Sequence, residues 1–316
     1  VARYILQRLG QSLILLWLVT LIGFLLLHLT PGGPLSQFAN TPGMSDEDLR
    51  RLAAQLGLDR PLPVQYLDWI GGLLSGDWGR SYRDNAPVLA VIGSRIGATF
   101  QLMGTATLIA VLVGGTAGII GAVRRYSLFD QMVTIGTMIA LSIPTFWFGL
   151  VVIYLFSVEL GWLPPGNIGP VGNASLLVFL HHLIGPSMVL GLVTTALWSR
   201  FMRSSMLDAL SQDYVRTARA KGLPERMVIG THVLRNALLP MITIAGLELP
   251  TLLGGALVTE TVFTWPGMGR LFLDSIEYRD YPVVMGMLIF AAVLVILGSL
   301  IADVLHTVAD PRVRLR

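Results

Sequence analysis

Apolar residues in this chain gather into long runs separated by more polar stretches, the longest of them at 30–97. The runs lie at 10–29, 98–123, 131–157, 183–202, 237–263 and 282–304. Each is close to the ~20 residues an α-helix needs to cross a bilayer. Between Leu13 and Leu29 only Thr20, Gly23 and His28 interrupt the apolar pattern. Arg3 and Arg8 precede this run, as in a signal peptide, but its length suits a span and no A-x-A cleavage pattern follows, so it is read as a retained helix. In hydrocarbon every backbone polar group must be satisfied internally, which leaves helices as the spanning form for runs of this length. The pattern predicts an all-α integral membrane protein with six transmembrane helices.

Composition sharpens this. Of the 316 residues 53% are hydrophobic and 13% charged. A soluble domain carries about 25% charged residues. Mean hydropathy is +0.69. The lipid bilayer is therefore the solvent for much of the surface. Net charge is only +3 and the basic residues are dispersed or sit beside spans, which argues against a nucleic-acid partner.

Arginine placement sets the orientation. Arg3 and Arg8 precede the first span, and Arg124 and Arg125 lie between the second and third. Arg200, Arg203, Arg216, Arg219, Lys221, Arg226 and Arg235 fall around the connection between the fourth and fifth, and Arg312, Arg314 and Arg316 end the chain. All fall on one side of a six-span arrangement, which places both termini in the cytoplasm. The expected layout is a first helix at 1–29, an extracytoplasmic helical loop at 30–97, five further spans across 98–304 with a cytoplasmic segment at 211–236, and a tail at 305–316. In the outer loop, Ser45 and Asp48 form a capping-box pattern before "DLRRLAAQLG", and "PVQYLDWIGGLL" is amphipathic. These read as a helical cap on the outer membrane surface rather than a catalytic element.

Small residues and prolines mark the spans. Gly114 and Gly118 form a GxxxG, read as tight internal packing rather than a dimer face. Pro144, Pro186, Pro240 and Pro250 predict kinks.

Several chemistries are excluded. With no cysteine there is no disulfide and no thiolate ligand or nucleophile. No histidine pair forms HExxH, and the adjacent His181 and His182 point in different directions on a helix, so they read as an ordinary interfacial pair. Lys221 is the sole lysine; it lies between Ala220 and Gly222, so no P-loop exists and ATP hydrolysis must belong to another subunit.

The stretch Asp213–Pro240, "DYVRTARAKGLPERMVIGTHVLRNALLP", carries the most information. It reads as two short helices with a sharp joint. Asp213 caps the first, Gly222 ends it in left-handed geometry, Pro224 opens the second, and Glu225 sits favourably at its positive end. A basic helix-turn-helix outside the bilayer is a docking surface.

This stretch resembles the coupling-loop motif of ABC importer permeases: Ala218, Gly222 and Leu234 match, while Arg216 stands where that motif has glutamate. "YVRTARAKG" followed by "LRNALLP" is similar to the variant in dipeptide, oligopeptide and nickel permeases. "HLTPGGP", "QLGLDRPLPVQYLDWI", "GDWGRSY", "ETVFTWPGMGRLF" and "ADPRVRL" resemble that family in the same order along nearly the whole chain. The resemblance implies a type I ABC importer permease fold in a bacterial or archaeal cytoplasmic membrane. It implies a homologous second permease, two ATPase subunits that hold ATP and Mg, an extracytoplasmic substrate-binding protein, and di- or oligopeptide substrates, with a nickel or chelated-metal cargo as the alternative. This chain would hold no cofactor. Arg216, Ala218, Arg219, Lys221, Gly222, Leu223, Pro224 and Glu225 would make the ATPase coupling surface. An intramembrane enzyme is disfavoured because HExxH and GxGD-type motifs are missing, and a channel because no filter-like segment or charged ring appears.

Two acids fall within the fifth apolar run. A carboxylate at a span centre costs ~3 kcal/mol on insertion scales, so it faces a cavity or a partner. Glu248, midway along, is a candidate for the translocation path or a bond to a neighbouring helix. Glu260, nearer the outer end, is a second path candidate, with a structural tie, to Arg270 or Arg279 among others, the favoured reading.

Overall fold

The computed structural model describes residues 2–29, 33, 35, 38, 44–169, 175–248 and 251–309, with side chains at 2–6, 9, 243, 246–248, 251–255 and 302–309 outside the description. Among the described residues all regular structure is helical, and extended backbone pairs only in an isolated bridge between Arg80 and Pro87. The helices are α1 (Ala2–Leu29), α2 (Asp46–Gln55), α3 (Leu62–Leu74), α4 (Val88–Val123), α5 (Leu128–Ser142), α6 (Thr145–Glu159), α7 (Leu176–Leu210), α8 (Asp213–Ala220), α9 (225–248), α10 (Thr251–Val262), α11 (Met268–Glu277) and α12 (Tyr281–Ala309). π-helical turns interrupt α4 at Ala110–Gly115, α6 at Ile153–Glu159 and α9 at Val228–Val233.

Among the described residues four helices are long and apolar enough to cross a membrane: Gly10–Leu29, Val88–Val123, Leu176–Leu210 and Tyr281–Ile301. The pair α5 and α6 makes a fifth if counted as one span, bent by 101°. Six were expected. The run at 237–263 divides between α9 and α10, on either side of residues 249–250, which lie outside the described residues and include Pro250, where a kink was expected. The second span begins at Val88, ten residues earlier than the hydropathy suggests, because Ser94 and Arg95 lower the local average without disturbing helical hydrogen bonding. Proline explains the bend: Ile143 is extended (φ −84°, ψ 127°) before Pro144, and the helix restarts with Phe148 N–H on the Pro144 carbonyl at 3.0 Å. Pro186 and Pro240 instead lie inside continuing helices.

The chain divides into two units, 1–97 with 270–296, and 98–269 with 297–316. In the first, the expected capping box at Ser45 and Asp48 is present, with Asp48 N–H on Ser45 Oγ and Ser45 N–H on Asp48 Oδ2, both 3.2 Å. The Ser45 hydroxyl, donating to Asp48 Oδ2 at 2.6 Å, and then the Ser45 N–H hold the Asp48 carboxyl below its usual range. α3 lies against α1 through Phe24, Tyr66 and Trp69, and Thr20 Oγ1 meets Tyr66 Oη at 2.9 Å. The "GDWGRSY" loop is tied to the start of α12: Ser81 Oγ donates to Asp280 Oδ2 at 2.5 Å and Tyr82 N–H to Asp280 Oδ1 at 3.0 Å. Burial, reinforced by Asp280, pushes the Tyr82 phenol up to about 12.

In the second unit α4 presents Gly114 and Gly118 to α7. A Cβ on Gly114 would lie 2.5 Å from the Thr195 carbonyl oxygen, and one on Gly118 would lie 2.6 Å from that of Ser199. Helix association in lipid has little hydrophobic drive, so such backbone approach supplies the packing. The GxxxG is thus used within the chain, as expected.

Candidate functional site

The segment between α7 and α9 is built on the end of a long helix. α7 has 35 residues, well beyond the ~20 a bilayer requires. It stops at Ser211, and Gln212 then turns extended (φ −75°, ψ 150°) to cap α8 without a side-chain bond. Asp213, expected as the cap, is instead the first helical residue. There its charge still faces the positive helix end, and Oδ1 lies 3.6 Å from Arg216 Nη1.

α8 ends in a Schellman turn. Gly222 N–H bonds the Arg219 carbonyl at 3.0 Å and Leu223 N–H bonds that of Ala218 at 3.3 Å. Gly222 has φ +75°, the left-handed conformation expected of it. Pro224 caps the next helix (φ −64°, ψ 140°) one position earlier than expected, and Glu225 becomes its first residue. The Arg219 guanidinium then reaches over the turn to Glu225, Nη2 to Oε1 at 2.6 Å and Nε to Oε2 at 3.2 Å. This fork holds the Glu225 carboxyl below the usual carboxylate range and raises the Arg219 guanidinium.

The segment has two faces. Val215, Ala218, Val228 and Val233 are buried against Met202, Met206 and Met241 of the adjoining helices, with Leu223 packed beside them. Arg216, Arg219, Lys221, Gly222, Pro224 and Glu225 are exposed. Of the eight residues expected to make a coupling surface, Ala218 and Leu223 therefore lie on the inner face and the other six on the outer one. Sequence reasoning missed Ser205, whose hydroxyl donates to the Ala237 carbonyl at 2.7 Å and joins the helices that enter and leave the segment. It also missed the ion pair of Arg203 with Asp130. The apolar spacing of Val215 and Ala218, three residues apart, was the available signal for the inner face.

Glu260 is fully buried in α10. Thr99 Oγ1 donates to its Oε1 at 2.7 Å, and Met268 N–H donates to Thr99 Oγ1 at 2.8 Å. Trp265 Nε1 donates to the Ala98 carbonyl at 2.8 Å. The "ETVFTWPGMG" turn is thus fastened to α4. Gly267 lies directly on the carboxylate: a Cβ there would sit 2.1 Å from Oε1. Glu248 is the last described residue of α9, and its side chain is outside the description. His181 and His182 bond separate carbonyls, those of Trp162 at 2.7 Å and Gly166 at 3.0 Å. Among the described residues no cluster of three or more His, Cys, Asp or Glu could hold a metal.

Residues 114–315 match the family described as binding-protein-dependent transport system inner membrane component, and residues 1–103 match its N-terminal counterpart. The chain is 44% identical over 315 residues to the oligopeptide transport system permease protein AppB of Bacillus subtilis (strain 168), with 99% of each covered. It is 40% identical over 340 residues to the dipeptide transport system permease protein DppB of Escherichia coli (strain K12), covering 99% of this chain and 98% of that one. Identity to the di/tripeptide transport system permease protein DppB of Pseudomonas aeruginosa (strain UCBPP-PA14) is 41% over 334 residues, with 98% of each covered. In fold, 69% of the chain matches 93% of a chain in the crystal structure of an amino acid ABC transporter with histidines, at TM-score 0.53 and 16% identity.

Proposed function

Because the chain belongs to the family of binding-protein-dependent transport system inner membrane components, we propose that it is the permease subunit of an ATP-driven peptide importer. It is a multi-pass membrane protein and a permease rather than an enzyme. Its peptide cargo follows from relatives named for oligopeptides, dipeptides and di/tripeptides that align over essentially the whole chain, which favours peptides over a chelated metal.

One observation carries the mechanism. The helical turn at 213–233 is apolar beneath, basic above, and fixed in angle by the Gly222 turn and the Arg219–Glu225 fork. A surface that only satisfied topology would need the arginines but not the joint. We assign this surface to docking on an ATPase subunit. Two ATPases, a second permease and an extracytoplasmic binding protein complete the assembly. ATP and Mg reside on the ATPases, and their closure moves α7 and α9 through the docked turn to alternate access to the path. The buried Glu260 is suited to anchoring the 263–268 turn in the state described, and Glu248 is left as the acid to test along the path. Both termini and 203–236 lie in the cytoplasm, and 30–97 outside.

Mass spectrometry of what co-purifies with the tagged chain from its own membranes tests the assignment. Two ATPase polypeptides and a second permease are expected; recovery of the chain without any ATPase contradicts it. Single cysteines in place of exposed Asp59 and Gln212, in a chain with no cysteine of its own, are expected to label from opposite sides.

A further inference from the structure

Asp130 and Arg203 form a two-point ion pair between α5 and α7. Arg203 Nε donates to Asp130 Oδ1 at 2.5 Å and Nη2 to Oδ2 at 2.8 Å. The Asp130 side chain is 4% exposed and that of Arg203 28%. Asp130 Oδ2 also accepts from Tyr126 N–H at 2.9 Å, so the same carboxylate holds the turn between α4 and α5. Room for the pair comes from Gly121, where an added Cβ would lie 3.1 Å from Asp130 Oδ1 and 3.7 Å from Arg203 Cδ. Three helices therefore converge on one carboxylate.

The position along α7 gives the pair its meaning. Arg203 lies two turns before α7 ends and the docking segment begins, and one turn below the backbone contact of Gly118 with Ser199. Ser205, two residues on, holds Ala237 on the returning helix. A displacement of the segment must therefore travel along this end of α7. α5 is joined to this end of α7 by the two-point contact of Arg203 with Asp130. A forked guanidinium–carboxylate contact fixes both distance and angle. A buried pair is also costly to break one-sidedly, so it resists sliding. α5 leads directly to the Pro144 bend and α6.

We propose that the Asp130–Arg203 pair is a positioning link that carries motion of the docking segment from α7 into the bent α5–α6 span. This rests on the docking reading of 213–233. In this role it sets how much peptide moves for each ATP hydrolysed.

The test uses the complete complex in liposomes, with both permeases, the ATPases, the binding protein and a labelled oligopeptide, and measures uptake and ATP hydrolysis together. Asp130→Asn is expected to retain the ATPases and keep stimulated hydrolysis within about twofold, while peptide moved per ATP falls roughly tenfold. Arg203→Lys keeps the charge but loses the fork, and an intermediate ratio is expected. Uptake and hydrolysis that fall in proportion, or a ratio left unchanged, overturn the proposal. If Asp130→Asn fails to reach the membrane, Arg203→Lys carries the test on the same ratio. Failure of the underlying reading looks different: Gly222→Val would then keep its ATPases and its uptake, and that result overturns both.

Discussion

Arg219 and Glu225 clasp across the Gly222 turn, with the guanidinium donating to both carboxylate oxygens at 2.6 and 3.2 Å. Each side chain is about half exposed, 45% and 54%, so the pair adds little to stability. Its role is geometric. It joins the last turn of α8 to the first residue of α9 and so sets the angle at which the basic surface is presented.

That clasp has a pH signature. The folded Glu225 carboxyl titrates below its unfolded value because Arg219 favours the anion. Its contribution is therefore present above the ordinary glutamate range and lost as pH falls through the depressed folded value. Hydrogen exchange of the 219–225 amides, corrected for intrinsic rates, is expected to accelerate on acidification. Glu225→Gln is expected to exchange faster at neutral pH and to show no added acceleration. Identical profiles in the two proteins would remove the clasp from the account.

Gly222 sets the same joint through the backbone. At φ +75° a β-branched residue is strained by about 1–3 kcal/mol, while asparagine is at ease. No atom lies within 4 Å of an added Cβ, so backbone strain is the whole effect. Gly222→Val is expected to lose ATPase subunits on co-purification and Gly222→Asn to keep them, with equal amounts of each chain in the membrane. Equal retention by both would show that the turn does not set docking.

Much of this was legible in the sequence. The hydropathy runs located the long helices, and the Gly-Leu-Pro joint announced its turn because left-handed backbone and a fixed proline φ are local properties. Ser45 and Asp48 cap their helix for the same reason. Side-chain partnerships distant in sequence were not legible. Asp130 and Arg203 are 73 residues apart and Ser205 and Ala237 32, and neither pair is marked by composition or period. Pro144 and Pro186 show the other limit: the residue type is the same, yet at the first the helix ends and restarts at a 101° bend while the second lies inside a helix that continues.

Glu260 and Gly267 are expected to behave as one unit. Glu260→Ala leaves the buried Thr99 hydroxyl without its acceptor, at about 1–3 kcal/mol. Gly267→Ala drives a methyl into the carboxylate. Thermal stability in detergent should drop for each single change, and the double change should drop by less than their sum. Strict additivity would mean the two groups do not press on each other.

Gly114, Gly118 and Gly104 lie on the same helix but meet different surroundings. Alanine at Gly114 or Gly118 meets the backbone of α7 and is expected to cost about 1–3 kcal/mol through forced separation. Nothing lies within 4 Å of Gly104, so alanine there gains about 1 kcal/mol of helix propensity without a clash. The monodisperse fraction after heating should fall for the first two and hold or rise for the third. A fall at Gly104 matching the others would assign the effect to the bilayer rather than to the α4–α7 contact.

Uptake of a labelled oligopeptide into liposomes tests the central claim most directly. The chain is reconstituted with its second permease, the ATPases and the binding protein, and ATP is supplied on the side of the docking segment. Peptide should accumulate only with ATP and all partners present, and accumulation should be lost with Gly222→Val. Peptide entry through this chain without ATPases, or normal accumulation by the Gly222→Val assembly, would contradict the account.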